Sequence, residues 1–405
     1  MANPKVSVVL AQAALDALKR TGSKKAAAKL LKIPEGTFYN RLRAATLYEL
    51  KPGEAPAERL DDNALMAERL RQAESRLASA SKQTLSDEFV KREIIKLAEQ
   101  KPDVPTWLVR KPKHGKNIGI PTLFASDWHW GEVVDQKQVG GVNQYDMGIA
   151  QDRARAMIEV TIDIVRNHLN IEAAGIVFAL GGDMVSGDIH EELMATNQVE
   201  AMPTIIDLYG VLIWCIRKLA DEFGNVFIPC VSGNHGRMTH KIRAKGRNYT
   251  NFDWLLYQFL AKTFADDKRV RFLIPDGPDA LYSVYGHKYL LTHGDQFRGG
   301  DGVIGALGPI IRGDHKKRSR NAQIGSEYDT MLLGHWHQLI QLQRLIVNGS
   351  LKGYDEYANS NNFGFEPPRQ ALWITHPTHG ITFSAPINVD RSDVKHTTGA
   401  WVAWK

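Results

Sequence analysis

"PTLFASDWHWG" (Pro121–Gly131) joins an apolar run suited to a buried strand to a turn offering Asp127 and His129. The same arrangement recurs in "IVFALGGDMVSGD" (Ile176–Asp188), "FIPCVSGNHGR" (Phe227–Arg237), "YLLTHGDQF" (Tyr289–Phe297) and "MLLGHWHQ" (Met331–Gln338). A single H-x-H such as His335 and His337 means little by itself. Five strand-like runs that each end in a metal-competent side chain, usually beside a glycine, are hard to ascribe to chance. Between these runs lie helical stretches, Met147 to Asn170, Thr204 to Phe223 and Asn251 to Phe264, and such alternation argues an α/β domain with buried strands.

In open α/β sheets, sites form outside the carboxyl ends of strands, where loops converge on one crevice. If the turns are extended, a period of two also puts Asp127 with His129, and His335 with His337, on one side. Carboxylate, imidazole and amide oxygen together suit first-row divalent ions better than thiolate-bound zinc or all-oxygen calcium. Asp127, His129, Asp183, Asn234, His293, His335 and His337 are enough for two adjacent ions if one carboxylate is shared. Two ions about 3.5 Å apart would lower the pKa of a bridging water, so that hydroxide attacks phosphorus in line.

The ordered set D-x-H, G-D, G-N-H, H and G-H-x-H resembles the signature of the calcineurin-like metallophosphoesterase superfamily, over roughly residues 120–350. The resemblance implies an α/β fold with a metallophosphoesterase-type β-sandwich flanked by helices. It implies that Asp127, His129 and His337 bind one ion, that Asn234, His293 and His335 bind the other, and that Asp183 bridges them. His235 matches the family histidine that faces the leaving group and would protonate it. The ions implied are divalent, Mn²⁺ first, with Fe, Zn or Ni as alternatives. This chain departs from the pattern after G-N-H, where Gly236 and Arg237 replace the usual acid. Arg237 is thereby a candidate for substrate phosphate. "GDMVSGD" lacks the D-R-G continuation of phosphoprotein phosphatases, which argues against a phosphoserine substrate. The segment from Asn348 onward continues in the manner of bacteriophage phosphoesterases. Its Tyr354, Tyr357, Phe363 and Phe365 either stack bases or fill a core, and His376 and His379, which match no motif, are read as structural.

With 405 residues, two or three units are expected. The net charge of +6 is concentrated in residues 1–50, which hold nine Lys or Arg against three acids. Three short helices are expected there, with Ser23 capping the second and Ile33, Phe38 and Leu42 inside. Ala27 to Leu42 resembles the helix-turn-helix of Fis-type modules, which implies a small all-α DNA-binding domain over 1–50. Thr37, Asn40, Arg41 and Arg43 would then face DNA. Residues 51–117 read as a helical spacer, with Met66, Leu70, Ala73, Leu77 and Ala80 in a short stripe, and 118–405 as the phosphoesterase domain. Two basic runs, 236–248 and Arg312 to Arg320, are read as loops beside the metal site able to track a nucleic-acid backbone. No apolar run spans a membrane, no signal peptide is read, and Cys215 and Cys230 suit buried thiols in a cytoplasmic protein. Three functions follow as expectations. The first is a DNA nuclease or phosphodiesterase, the second a phosphomonoesterase or small-molecule phosphodiesterase, and the third a non-catalytic DNA-bound regulator.

Overall fold

The computed structural model describes residues 6–53, 105–109, 117–189, 191–299, 305 and 307–390. The chain divides into two compact units, 1–91 and 92–405. The expected stripe from Met66 to Ala80 lies outside the described residues.

In the first unit, Ser7 accepts a hydrogen bond from the Leu10 amide and opens α1 (Val8–Thr21), which stops at Gly22 with φ of 64°. Lys24–Leu30 is α2, and Glu35–Leu47, entered through Pro34, is α3. Ser23 stands at the N-cap of α2 but its side chain makes no capping bond. Phe38 is fully buried among Ala14, Ala17, Ala27 and Ala28, with Ile33 and Leu42 packed against the cluster. Small alanines let three short helices close around one ring.

Among the described residues of the second unit the first helix is α4 (Thr106–Val109), and the unit is built on two mixed sheets. The strands are β1 (Ile120–Ala125), β2 (Ile176–Leu180), β3 (Val226–Pro229), β4 (Val270–Leu273), β5 (Asp279–Val284), β6 (His287–Thr292), β7 (Thr330–Leu333), β8 (Ile340–Leu342), β9 (Leu345–Val347), β10 (Arg369–His376) and β11 (Gly380–Asn388). One sheet has the order β11-β10-β1-β2-β3-β4, with β1 to β4 parallel and the β10–β11 hairpin antiparallel to β1. The other runs β5-β6-β7-β9-β8, with β6, β7 and β9 parallel.

Side-chain alternation explains the layering. Phe124, Val177, Ala179, Phe227 and Trp373 of the first sheet meet Tyr289, Leu291, Leu332 and Ile346 of the second in one core. Their neighbours Leu123, Phe178, Ile228 and Leu372 point the other way, into a core shared with α5 (Met147–Asp163), α7 (Ala201–Phe223) and α8 (Phe252–Thr263), whereas the short α6 (Glu191–Thr196) buries no residue. The outer face of the second sheet, with Leu290, Met331 and Val347, is covered by Ile310 of α9 (Leu307–Gln323). Among the described residues the last helix is the short α10 (Glu356–Ser360). The result is a sandwich of two sheets with helices outside each.

One expectation is corrected here. The run Arg312 to Arg320 is not a loop but the middle of α9. Lys317 is buried against Asp279 at 2.5 Å, Arg320 also reaches Asp279, and Arg318 pairs with Asp314. Helical spacing puts these three cations against Asp279 of the sheet and Asp314 of the helix, so their charge is answered within the fold. Cys215 and Cys230 are buried free thiols. Among the described residues no helix is long and apolar enough to cross a membrane.

Candidate metal centre

The parallel strands β1, β2 and β3 of one sheet and β6 and β7 of the other deliver their following turns to a single place. The strands keep pairing past their ends: Asp127 N donates to Gly182 O at 3.0 Å, His129 N to Asp183 O at 3.0 Å and Gly334 N to His293 O at 2.9 Å. Carboxylates finish the stitching. Asp127 Oδ1 accepts from the His335 amide at 2.8 Å, and Asp183 Oδ1 accepts from the His235 amide at 2.7 Å.

Three sets of ligand atoms gather there, each within 4.8 Å: Asp127, His129 and His337; Asp183, His293 and His335; and His129, Asp183 and His235. Asn234 Oδ1 lies 3.1 Å from His293 Nε2 and so adjoins the second set. All seven residues expected as ligands, and His235, therefore meet at the carboxyl ends of the strands.

The backbone that achieves this is not extended. Asp127 (φ 56°), His129 (49°), Asp183 (50°), His335 (68°) and His337 (52°) are all left-handed. Each such non-glycine residue costs about 1–2 kcal/mol and persists only where the surroundings fix it. The shared side of Asp127 with His129, and of His335 with His337, thus comes from strained turns and not from strand alternation. Two glycines make room. A Cβ on Gly233 would overlap the Asp183 carboxylate, and one on Gly334 would overlap that of Asp127.

The donor set fits divalent cations. His293 Nδ1 faces the Gly181 carbonyl at 2.9 Å, which leaves the Nε2 lone pair facing Asp183 Oδ2 at 2.9 Å. That oxygen is buried and has no hydrogen bond of its own. His129 Nε2 and His337 Nε2 approach to 3.0 Å, and His337 Nε2 is 3.4 Å from Asp127 Oδ1. Lone pairs packed this closely need a proton or a metal ion between them. Without a metal, burial opposes a charged His293, but Asp183, helped by Asp127 and Asp295, pushes its pKa up to about 10. Burial instead holds His129 well below the usual imidazole range and takes His335 down to about 4.

His235 turns Nδ1 toward the Ser186 carbonyl at 3.1 Å, and its ring lies edge-on to His129 with centroids 4.5 Å apart. Burial lowers its pKa while Asp183 and Glu132 pull it back. Arg237 gives Nη1 to the Asn234 carbonyl at 2.7 Å, Nε to Thr239 O and Nη2 to His240 O. Three of its N–H groups therefore staple the loop that carries Asn234.

Several contributors were not legible in the motifs. One is a carboxylate on α8: Asp253 accepts from the amides of Gly233 (2.9 Å), Asp183 (3.0 Å) and Met184 (3.2 Å). Burial beside Asp183 pushes its pKa up to about 7. Glu132 stands 3.4 Å from His129 Nδ1, a buried nitrogen with no hydrogen bond. Lys352 binds Glu132 at 2.7 Å and Asp355 at 2.5 Å. Ser350 Oγ donates to the Asp127 carbonyl at 2.8 Å. A signal existed in "SLKGYDE", whose polar residues follow a buried strand, but nothing local says that they face inward. On α3, Thr37, Asn40 and Arg43 are exposed and Arg41 is half-buried.

No family model and no curated protein matches the chain. Several solved structures are similar at low level, three of them as follows. A predicted phosphoesterase from Streptococcus pneumoniae is 12% identical over 66% of this chain and 97% of its own, with a TM-score of 0.26. A Vps29 mutant from Entamoeba histolytica is 13% identical over 66% and 100%, with a TM-score of 0.28. The sulfate thiohydrolase SoxB from Thermus thermophilus is 10% identical over 69% and 58%, with a TM-score of 0.28. Scores this low carry no weight, and the chemistry below rests on the side chains themselves.

Two predictions follow from these contacts. The folded pKa of His293 lies above its unfolded value of about 6.5, so its contribution to stability is complete below that pH and is lost as pH rises toward 10. In chelator, the thermal midpoint is expected to fall between pH 7 and 10, and His293→Asn to flatten that slope. A wild-type midpoint that is level over this range would contradict the pairing. Glu132→Gln is expected to weaken Mn²⁺ binding about 10–100-fold, read from free Mn²⁺ by electron paramagnetic resonance, because it removes the charge that orients the His129 ring.

Proposed function

We propose that this protein is a dinuclear-metal-dependent phosphodiesterase of the metallophosphoesterase type, acting on DNA. The observation that carries this reading is the gathering of Asp127, His129, His337, Asp183, His293 and His335 in interlocking sets of ligand atoms, linked by His129 and Asp183, with Asn234 adjoining. Asp127, His129 and His337 would hold one divalent ion, and Asn234, His293 and His335 the other, with Asp183 between. When bound, such ions activate water for attack and neutralise charge on phosphoryl oxygens; Mn²⁺ is the first choice.

The residues of the chain do the rest. Asp253 and the left-handed turns fix the ligands before substrate arrives, so little reorganisation accompanies the reaction. With Nδ1–H of His235 donated to the Ser186 carbonyl, the ring would give a proton to the departing oxygen from Nε2 in its imidazolium form. The N–H groups of Arg237 not used by its loop are offered to a substrate phosphate. A basic stretch with Lys241, Arg243 and Lys245 exposed follows directly and suits a phosphate backbone. Thr37, Asn40, Arg41 and Arg43 of α3 would present a helix to duplex DNA.

Chelated protein resupplied with Mn²⁺ is expected to cleave bis(p-nitrophenyl) phosphate and DNA, and Asp183→Ala to lower kcat/KM on the order of 1,000-fold. His235→Ala should slow deoxyribose leaving groups about 100-fold or more while sparing nitrophenolate, which needs no proton. Equal losses on both substrates would remove His235 from the acid role. Turnover of nitrophenyl esters but never of DNA would move the reading to a small-molecule phosphoesterase. Deleting residues 1–50 is expected to weaken duplex binding and flatten its salt dependence; unchanged binding would take DNA recognition away from α3.

A further inference from the structure

Residues 354–366 carry three rings that the fold does not use as core. Tyr357 is 69%, Phe365 57% and Phe363 50% exposed. Large apolar side chains left in solvent mark a surface that something covers. Here the large exposed apolar residues are all aromatic, and Asn359, Ser360, Asn361 and Asn362 lie among them. That mixture suits flat ring-shaped partners with polar edges better than an aliphatic protein groove.

The rings are held in place. Tyr357 and Phe363 meet edge-to-face at 5.8 Å, and Tyr354 and Phe365 pack tilted at 5.6 Å. Tyr354 donates its hydroxyl to the Phe363 carbonyl, and Asp355 caps α10 through the Ala358 amide. Glu356 accepts from the Asp135 amide at 2.7 Å, and Asn359 donates to Gln138 O. The acids of the segment are occupied as well: Asp355 by Lys352 and Glu366 by Arg369. Rings fixed in advance lose little freedom on binding.

The segment also adjoins the metal centre by two short routes of hydrogen bonds and ion pairs. Glu366 accepts from the amide of Leu339, two residues past His337. Asp355 reaches His129 through Lys352 and Glu132. Both routes end on the Asp127–His129–His337 set. The basic loop instead adjoins the other set, through Arg247, which bonds the Gly233 carbonyl and Asp295.

We infer that the aromatic rings of residues 354–366 are a stacking platform for unpaired nucleobases, so that the strand enters the centre single-stranded. This rests on the phosphodiesterase reading. A chain lying across the centre would place backbone phosphates toward the cationic loop and bases on the rings. Stacking of this kind tolerates any sequence and contributes about 1–3 kcal/mol per base.

The test uses the full chain in chelator, where no cleavage occurs, and fluorescence anisotropy with two labelled probes of equal charge. One is single-stranded dT12; the other is a strand of the same length without bases. The wild type is expected to bind dT12 at least about tenfold more tightly than the abasic strand. Tyr357→Ala/Phe363→Ala/Phe365→Ala should bring the ratio close to one. Should that variant fail to fold, Tyr357→Leu keeps the bulk without the aromatic face and is expected to lower the ratio. Equal affinities in the wild type, or a ratio that survives the substitutions, would overturn the inference and leave the rings to a protein or membrane partner. Hydrolysis of a nitrophenyl diester with Mn²⁺ reads the centre separately. Its absence sinks the phosphodiesterase reading, whereas hydrolysis without base-dependent binding sinks only the stacking platform.

Discussion

Two aspartates each do two jobs, and the site depends on their doing both. Asp127 and Asp183 point one carboxylate oxygen at the amide of a loop from another strand, His335 and His235 respectively. Each also belongs to a cluster of ligand atoms. The same carboxylates that would hold cations thereby lock the turns that carry the histidines. A buried carboxylate is costly unless its charge is answered, and here backbone dipoles answer part of it before any ion arrives. The stitching has a steric condition, since Gly233 and Gly334 are the only size of residue their positions accept without moving a carboxylate.

The strain in the turns follows from that arrangement. Five candidate ligands in left-handed conformation are an expense of several kcal/mol by ordinary backbone preferences. Nearby order offsets it: β1, β2 and β3 are parallel neighbours whose hydrogen bonds run on into the loops, and Asp253 gathers three amides from two of those loops. A strained turn held from several sides has one geometry available, which is what a centre with metal-ligand tolerances of a few tenths of an ångström needs.

The candidate site was largely legible in the sequence because its chemistry is written locally. A short apolar run followed by Asp, His or Asn beside glycine can be read within a dozen residues, and the structure brings Asp127, His129, Asp183, Asn234, His235, His293, His335 and His337 together. The sandwich was less legible. Strand β4 has one buried residue out of four, and β5 alternates between half-buried and buried, so neither reads as a continuous apolar run. The β10–β11 hairpin carries no motif, although Trp373 is central to the inter-sheet core. Non-local contributions were not legible at all. Asp253 and Lys352 have no sequence signature, because what makes them part of the site is a contact across 20 to 220 residues of chain, and Glu132, three residues from His129, belongs to no motif. The basic run in α9 misled for the complementary reason: charge is visible in a sequence, but whether Asp279 and Asp314 wait beside it is not.

Lys352 raises a question that stability alone does not answer. A lysine 2% exposed between Glu132 and Asp355 could be replaced, in principle, by apolar groups of similar volume with no loss of stability and often a gain. Its presence makes sense if the triad is needed for something other than cohesion. Two acids and one base leave the cluster with an excess of negative charge, and the polar groups facing that excess are the Nδ1 of His129 at 3.4 Å and the hydroxyl of Ser186 at 3.4 Å. Ser186 in turn presents its carbonyl to His235. One buried ionic cluster thus stands behind both the histidine assigned to a metal and the histidine assigned to the leaving group. Lysine limits the excess to what a single imidazole N–H can answer. With an apolar residue in its place, Glu132 would lose the cation that holds it beside the ring; with no acid there, the His129 tautomer would be left to chance.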